Sequence, residues 1–326
     1  MACQRLFSPT HLLLLILLFT ITTFLLFSLR DDCTCDTVDA LVQRVRSLQG
    51  DARRREEALA GCRGNGGGAV AAATTSWEAA AAAGSWDSHV LCLLVPFRDR
   101  FEELMEFVPY MDKFLSQQLV RHRIIVINQI DAYRFNRASL LNAGFKETRE
   151  DCSYIALHDV DLLPRNPAIT YHYAQVADGP YHVSSPELHP RYDYAEFIGG
   201  IMLMSSDHYG KLNGLSNRFW GWGREDDELY MRIKEAELTI SKPKGITTGK
   251  NTFFHIHDKK KRKRDMKRIG NQHKESFKRD RKTGLDTVQY EVRNQQELTI
   301  NGAKATLLHV KLQCDKNDTP WCELEK

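Results

Sequence analysis

Residues 218–228 read RFWGWGREDDE, two tryptophans alternating with two glycines and then four acidic side chains in a row. Glycines at 221 and 223 give the backbone conformations closed to other residues, so this loop can approach a ligand closely. Trp220 and Trp222 offer flat apolar faces of the kind on which sugar rings stack. Glu225, Asp226, Asp227 and Glu228 crowd like charges together; in a pocket, such crowding raises a carboxylate pKa and fits it to act as a base. The same run also fits an acidic helix N-terminus after a glycine turn, because carboxylates favour that end of the helix dipole.

Two more clusters carry metal or acid-base chemistry. Asp159-Val160-Asp161 follows the apolar YIAL and precedes LLP, at the edge of a core. Alternation along an extended segment puts the two aspartates on one side and Val160 on the other. Carboxylates at a strand end, beside arginines, suit a divalent cation carrying a diphosphate. Surface loops contain such triplets too. Phe253 to Asp258 reads FFHIHD; in an extended segment, His255 and His257 face one way. Imidazoles with a carboxylate form a mixed set that accepts Mn2+, although a bare HxH also fits two surface histidines.

These groups need strands and helices to bring them together. His89 to Val95 is a continuous apolar run ending at Pro96, as in a buried parallel strand. Phe101, Leu104, Met105, Val108, Met111 and Leu115 then keep helical spacing. Ile124–Ile127 predicts a second strand, NRASLLNAGF opens a helix that Gly144 is expected to stop, and Tyr154–Leu157 predicts a third strand. Strand and helix in alternation predict an α/β domain with a mostly parallel sheet flanked by helices. Ligands in such sheets bind beyond the carboxyl ends of the strands, where Arg98 and Arg100, Phe135 to Arg137, and the aspartates fall.

Ahead of this domain the composition changes. Leu12 to Leu29 is apolar and uncharged, long enough to cross a bilayer, with Arg5 before it. The reading is a cytosolic tail over 1–11, an uncleaved signal anchor over 12–29, and a stem over 30–85 rich in Gly and Ala. The folded domain then spans 86–326, on the far side of the membrane. A cleaved signal peptide is the other reading. Cys33, Cys35 and Cys62 sit in the stem, free to link chains in an oxidising compartment. The formal charge of the 326 residues is only +3, so overall charge names no partner. KKKRKR at 259–264 has the look of a nucleic-acid or nuclear signal, which the anchor argues against.

VPFRDR, FNRASLLNAGF, HDVDLLP, SPELHP, FIGG, SNRFWGWGREDDE and FFHIHD follow one another as in the beta-1,4-galactosyltransferases, which the chain resembles from about Trp86 to Cys322. The resemblance implies a GT-A-type glycosyltransferase fold, UDP-galactose as donor, Mn2+ as cofactor, and a single-pass type II Golgi membrane enzyme. It implies that Pro96, Phe97, Arg98, Asp99, Arg100, Phe135, Asn136, Arg137 and Val160 contact the donor. It likewise makes Asp161, His255 and His257 metal-contacting positions that also face UDP-galactose. Asp226 takes the general-base position. Glu225 and Asp227 grip sugars, and Trp222 and Arg224 lie beside donor and acceptor. Tyr192 and Tyr194 match an aromatic acceptor wall, where Phe197 stands in place of an expected tyrosine. Members acting on N-acetylglucosamine carry Gly where this chain has Arg224, and a different His spacing. Both differences favour the xylose-directed branch, with xylosylated proteoglycan core proteins as acceptors and no nucleic-acid partner. The basic run is then expected to be a mobile lid that orders over the UDP phosphates, with Arg264 the contact. An N-acetylglucosamine-directed enzyme and a non-catalytic sugar-binding relative are the alternatives. Cys314 and Cys322 are expected to pair, Cys92 to be buried and free, and Asn317 lies in a glycosylation sequon.

Overall fold

The computed structural model describes residues 86–324 apart from Lys259. The expected anchor and stem, with Cys33, Cys35 and Cys62, lie outside the described residues. Among the described residues, no helix is long and apolar enough to cross a membrane.

The apolar run after His89 forms β1 (Val90–Phe97), buried along nearly its whole length. Helix α1 (Phe101–Gln117) follows, then β2 (Arg121–Gln129), α2 (Arg137–Thr148) and β3 (Tyr154–His158). Strand β1 lies between β2 and β3 and runs parallel to both, with Leu93 opposite Ile124 on one side and Ala156 on the other. After β3 come the short β4 (Leu162–Pro164), β5 (Tyr181–His182), β6 (Ile201–Ser205), α3 (Ser206–Lys211), α4 (Glu225–Glu235), β7 (Phe253–His255) and α5 (Gln272–Glu275). The chain closes with the hairpin of β8 (Tyr290–Ile300) and β9 (Ala303–Leu312).

The main sheet has the order β5-β6-β3-β1-β2-β9-β8. Its centre, β3-β1-β2-β9, is parallel, as the alternating pattern predicts. Both flanks are antiparallel, so the sheet is mixed rather than mostly parallel. Strand β9 reaches β2 only after the chain has passed through the entire site region, a pairing that no local pattern encodes.

Two local expectations fail. Gly144 does not stop α2, which continues to Thr148; the glycine is buried mid-helix. A Cβ there would sit 2.8 Å from Ile127 Cγ1 and Cδ1, so glycine lets the helix approach β2. Cys92 is not free. It is bonded to Cys152 just ahead of β3, inside the core, while Cys314–Cys322 pairs as expected.

Because β2 and α2 are this close, Gly144→Val overfills their contact. A loss of at least about 2 kcal/mol is expected, seen as a melting temperature lower by roughly 4–8 °C in a domain of this size. An unchanged melting temperature would show that the packing there is loose.

Candidate active site

The ends of β1 and β3, the start of α2, the N-terminus of α4, and β7 converge on a cleft of about 490 Å3. Its metal-binding corner depends on the two-stranded β4–β7 sheet, in which Leu162 pairs with His255 and Ile256 N–H donates to Asp161 O at 2.9 Å. That pairing sets Asp161 Oδ2 3.6 Å from His255 Nε2 and 3.3 Å from His257 Nδ1. The two imidazoles stack with centroids 5.4 Å apart, both facing the aspartate as the HxH spacing predicts. One ligand atom from each of the three residues lies within 4.8 Å of the others, a carboxylate-imidazole set that fits a divalent cation such as Mn2+. Burial opposes ionisation of Asp161, but the bonds from His255 and His257 hold its carboxyl far below the usual range.

Asp159 and Asp161 lie where β3 gives way to a turn, so strand alternation does not govern them. Asp161 goes to the histidines. Asp159 accepts from Arg137 Nε at 2.9 Å, and the same guanidinium donates through Nη1 to Asp226 Oδ1 at 3.1 Å. Arg137 is thus tied to the carboxylates at the cleft floor. Burial disfavours the charge on this guanidinium, but Asp159, Asp226 and Glu225 around it favour it more and raise its pKa.

The WGWG loop shapes the other end. Gly221, Gly223 and Arg224 all have positive φ (82°, 99° and 79°), and Arg224 caps α4 through its backbone alone. A Cβ on Gly221 would collide with the Arg134 guanidinium. Arg134 is buried and holds Asp265, Gln272, Lys267 O and Trp321 O together, with Nε–Asp265 at 2.6 Å. Trp222 N–H in turn donates to Asp265 O at 2.9 Å. The backbone so bent starts α4 with its acidic turn at the cleft.

There Asp226 and its neighbours take different environments. Burial pushes the Asp226 carboxyl up, Arg137 pulls it down, and Asp159 and Asp227 push it up again; the net is above the ordinary carboxylate value. Glu225 is raised to about 7 by burial first and then by Asp226, and its Oε2 is buried without a hydrogen-bond partner among the described residues. Asp227 lies nearer the surface, 3.4 Å from both Tyr194 Oη and Arg224 Nη1. Gly199 backs the Asp226 carboxylate: a Cβ there would lie 2.5 Å from Oδ2 and 2.7 Å from the Phe197 ring.

The aromatic wall comprises Tyr192, Tyr194, Phe197 and Trp222, with Phe197 5.1 Å from Tyr192 and 5.4 Å from Tyr194 between ring centroids. Trp222 faces the cleft, but Trp220 is buried against Tyr133 and offers no sugar platform. Lys261, Arg262, Lys263 and Arg264 line the cleft from above. Arg264 lies 4.7 Å over the Trp222 ring and bonds Tyr192 Oη, while Arg262 forks onto Glu103 at 2.7 and 2.9 Å.

Among the residues expected to contact the donor, Pro96, Arg98, Asp99, Arg100, Phe135, Arg137 and Val160 line the cleft. Phe97 does not; its side chain is fully buried and packs edge-on to Phe101. Nor does Asn136, which is buried as the N-cap of α2, accepting from Ser139 N–H at 2.9 Å. Arg98 spends its donors on the carbonyls of Gln129, Asp131 and Tyr133, fixing the loop that carries Phe135. Arg100 Nη1 is buried beside the metal corner with no hydrogen bond among the described residues, 3.8 Å from Glu103 Oε1. Sequence reasoning gave no role to His189, Gly199 or Arg134. His189 Nδ1 accepts from the amides of Arg191 and Tyr192, at 3.0 and 2.9 Å, setting the loop that carries the aromatic wall. Burial, then His255, lowers its pKa to about 3, so it remains the neutral acceptor this requires. The SPELHP and FIGG segments were the available signal for His189 and Gly199.

If Arg137 restrains the upward shift of Asp226, Arg137→Met must raise it further, since loss of a neighbouring cation disfavours the carboxylate. A carboxyl-carbon NMR titration is expected to find Asp226 ionising at higher pH in the variant. An unmoved titration would deny Arg137 this influence.

Family models give the comparison from the sequence side. One described as the N-terminal region of glycosyl transferase group 7 matches residues 77–174, and one described as the N-terminal domain of galactosyltransferase matches 179–258. Human beta-1,4-galactosyltransferase 7 is 56% identical over 238 residues, 73% of this chain and 72% of that protein. Xylosylprotein 4-beta-galactosyltransferase of Caenorhabditis elegans is 48% identical over 240 residues, 72% of this chain and 82% of that protein. The catalytic domain of Drosophila beta-1,4-galactosyltransferase 7 has been solved with xylobiose, and a mutant of that enzyme with manganese, UDP-Gal and xylobiose. Each is 50% identical to this chain with a TM-score of 0.71, covering 73% of this chain and all of the solved one. With a GT-A-like mixed α/β fold and identity of this extent, the chain belongs to the beta-1,4-galactosyltransferase family.

Proposed function

We propose that the protein transfers galactose from UDP-α-galactose to the 4-OH of β-linked xylose on proteoglycan core proteins, with inversion and with Mn2+ as cofactor. The observation that carries this reading is that one cleft holds both a three-ligand metal corner and a partly buried aspartate, with an aromatic wall beside that aspartate. The names of the relatives, and the ligands of the Drosophila mutant, supply the sugars. The apolar run Leu12–Leu29 supports anchorage in the Golgi membrane with the domain on the luminal side.

An α-linked donor and a β-linked product require a single displacement on the side opposite UDP. A sugar hydroxyl is a poor nucleophile when neutral, so the acceptor needs a base. Asp226 fills that role: its raised pKa makes it a competent proton acceptor, Arg137 donates to Oδ1, and the missing side chain of Gly199 leaves room for Oδ2. The xylose 4-OH gives its proton to Asp226 as its oxygen bonds to the anomeric carbon and the bond to UDP breaks. Glu225 and Asp227 hold sugar hydroxyls, while Tyr194 and Trp222 wall the acceptor. Arg100 and Arg264 bring positive charge to the diphosphate. Mn2+, held by Asp161, His255 and His257, neutralises charge on the departing diphosphate when bound. No carboxylic acid is needed to protonate the leaving group, in contrast to inverting glycoside hydrolysis.

Asp226→Asn keeps the shape but not the proton acceptor. A fall of about 10² to 10⁴ in single-turnover rate is expected, typical of losing a general base, with UDP binding by calorimetry preserved. If Asp227→Asn loses turnover and Asp226→Asn does not, the base is Asp227. For the metal corner, Asp161→Ala and His257→Ala should each lose most activity with a xyloside acceptor, and excess Mn2+ should rescue the histidine variant better. Full activity of both variants in EDTA would remove the metal from the reaction.

A further inference from the structure

A pyranose carries its 1- and 4-positions at opposite ends of the ring. With the xylose 4-OH on Asp226, as the functional reading above requires, the linkage to the acceptor's polypeptide leaves the cleft on the side away from Asp226. The rim in that direction passes from Asp227 to Arg224 and then to Phe277. Arg224 Nη1 is 3.4 Å from Asp227, its Nε donates to Ser276 O at 3.2 Å, and its guanidinium carbon lies 3.8 Å over the Phe277 ring. Phe277 is nevertheless 58% exposed, an aromatic face beside the Arg224 that lines the cleft, with His273 on one side, ring centroids 5.1 Å apart. The surface is continuous here: Gly223 lines both the main cleft and a small depression beyond it, bounded by Arg268, Ser276 and Lys278.

Cations outnumber carboxylates on this rim. Among the described residues, Arg268 and Lys274 form no ion pair with a carboxylate, while Lys267 faces Asp265. The acidic groups nearby are already engaged, Glu275 by Lys278 at 2.7 Å and by Arg218 at 3.6 Å. An exposed aromatic among unpaired cations, continuous with a sugar site, suits a chain whose backbone packs on the ring and whose carboxylates meet the cations.

We infer that Phe277 and the cations around it form an aglycone subsite for the acidic peptide segment that carries the xylose. The site thereby recognises the protein as well as the sugar.

The test is steady-state kinetics of the full-length protein with UDP-galactose and three acceptors: methyl β-xyloside, a xylosylated peptide with Asp and Glu flanking the modified residue, and the same peptide with Asn and Gln. Wild type is expected to show a KM for the acidic peptide about tenfold below that for methyl xyloside, equivalent to about 1.4 kcal/mol. Phe277→Ser and Lys274→Glu should each shrink that ratio to within about threefold, with the methyl xyloside KM unchanged. A peptide KM unmoved by both variants overturns the subsite. So does a rise shared by both acceptors in Phe277→Ser, which would make the ring a mere prop for Arg224. Equal use of the neutral and acidic peptides overturns it too. Turnover of methyl xyloside without peptide preference sinks only this inference, whereas no turnover of any xyloside sinks the acceptor reading beneath it.

Discussion

One guanidinium holds the catalytic end of this domain together. Arg137 starts α2 and reaches both Asp159, at the end of β3, and Asp226, in the first turn of α4. Three elements distant in sequence therefore meet on one partly buried cation. Asp159, Glu225 and Asp226 bring three acidic groups together, and Glu225, the buried one, would be costly to charge without a counter-charge nearby. Removing one partner leaves the others without their counter-charge, at a cost that solvent reaching Asp159 and Asp226 reduces. Burial above all, and then the neighbouring carboxylates, raises the pKa of Glu225 and Asp226 beyond what Arg137 offsets. That desolvation is what leaves a carboxylate ready to take a proton.

Around this centre, backbone geometry decides which side chains face the cleft. The β4–β7 pairing aligns Asp161 with two histidines about a hundred residues downstream. The left-handed run through Gly221, Gly223 and Arg224 turns Trp222 outward and leaves Trp220 in the core. Arg134, fully occupied by Asp265, Gln272 and two carbonyls, ties the segment after the basic run beneath that loop. The donors of Arg98 do the same for the loop after β2. Several of the arginines thus brace the site's own loops and carboxylates, while Arg100 keeps a nitrogen without a hydrogen bond among the described residues.

Periodicity and local chemistry determined a good part of this protein. The apolar run of β1, the helical spacing of α1 and the strand before Asp159 are local patterns, and each forms the element it predicts. The two-residue spacing of His255 and His257 fixed their common direction, because an extended chain repeats every second residue. The acidic first turn of α4 satisfies both readings of the EDDE run at once: it is a helix N-terminus and it lines the cleft. What remained was decided by contacts between distant segments, which no local pattern carries. Cys92 and Cys152 each look like a small buried hydrophobe, and only the neighbouring of β1 and β3 makes them a pair. Gly144 reads as a stop, yet the approach of α2 to β2 makes it an interior packing residue. Phe97 and Asn136 belong to donor-site motifs, but strand direction and helix capping turn their side chains inward. Sequence determined which chemical groups are available and their local direction; tertiary structure decided which of them share the cleft, because burial and pairing are properties of the assembled sheet.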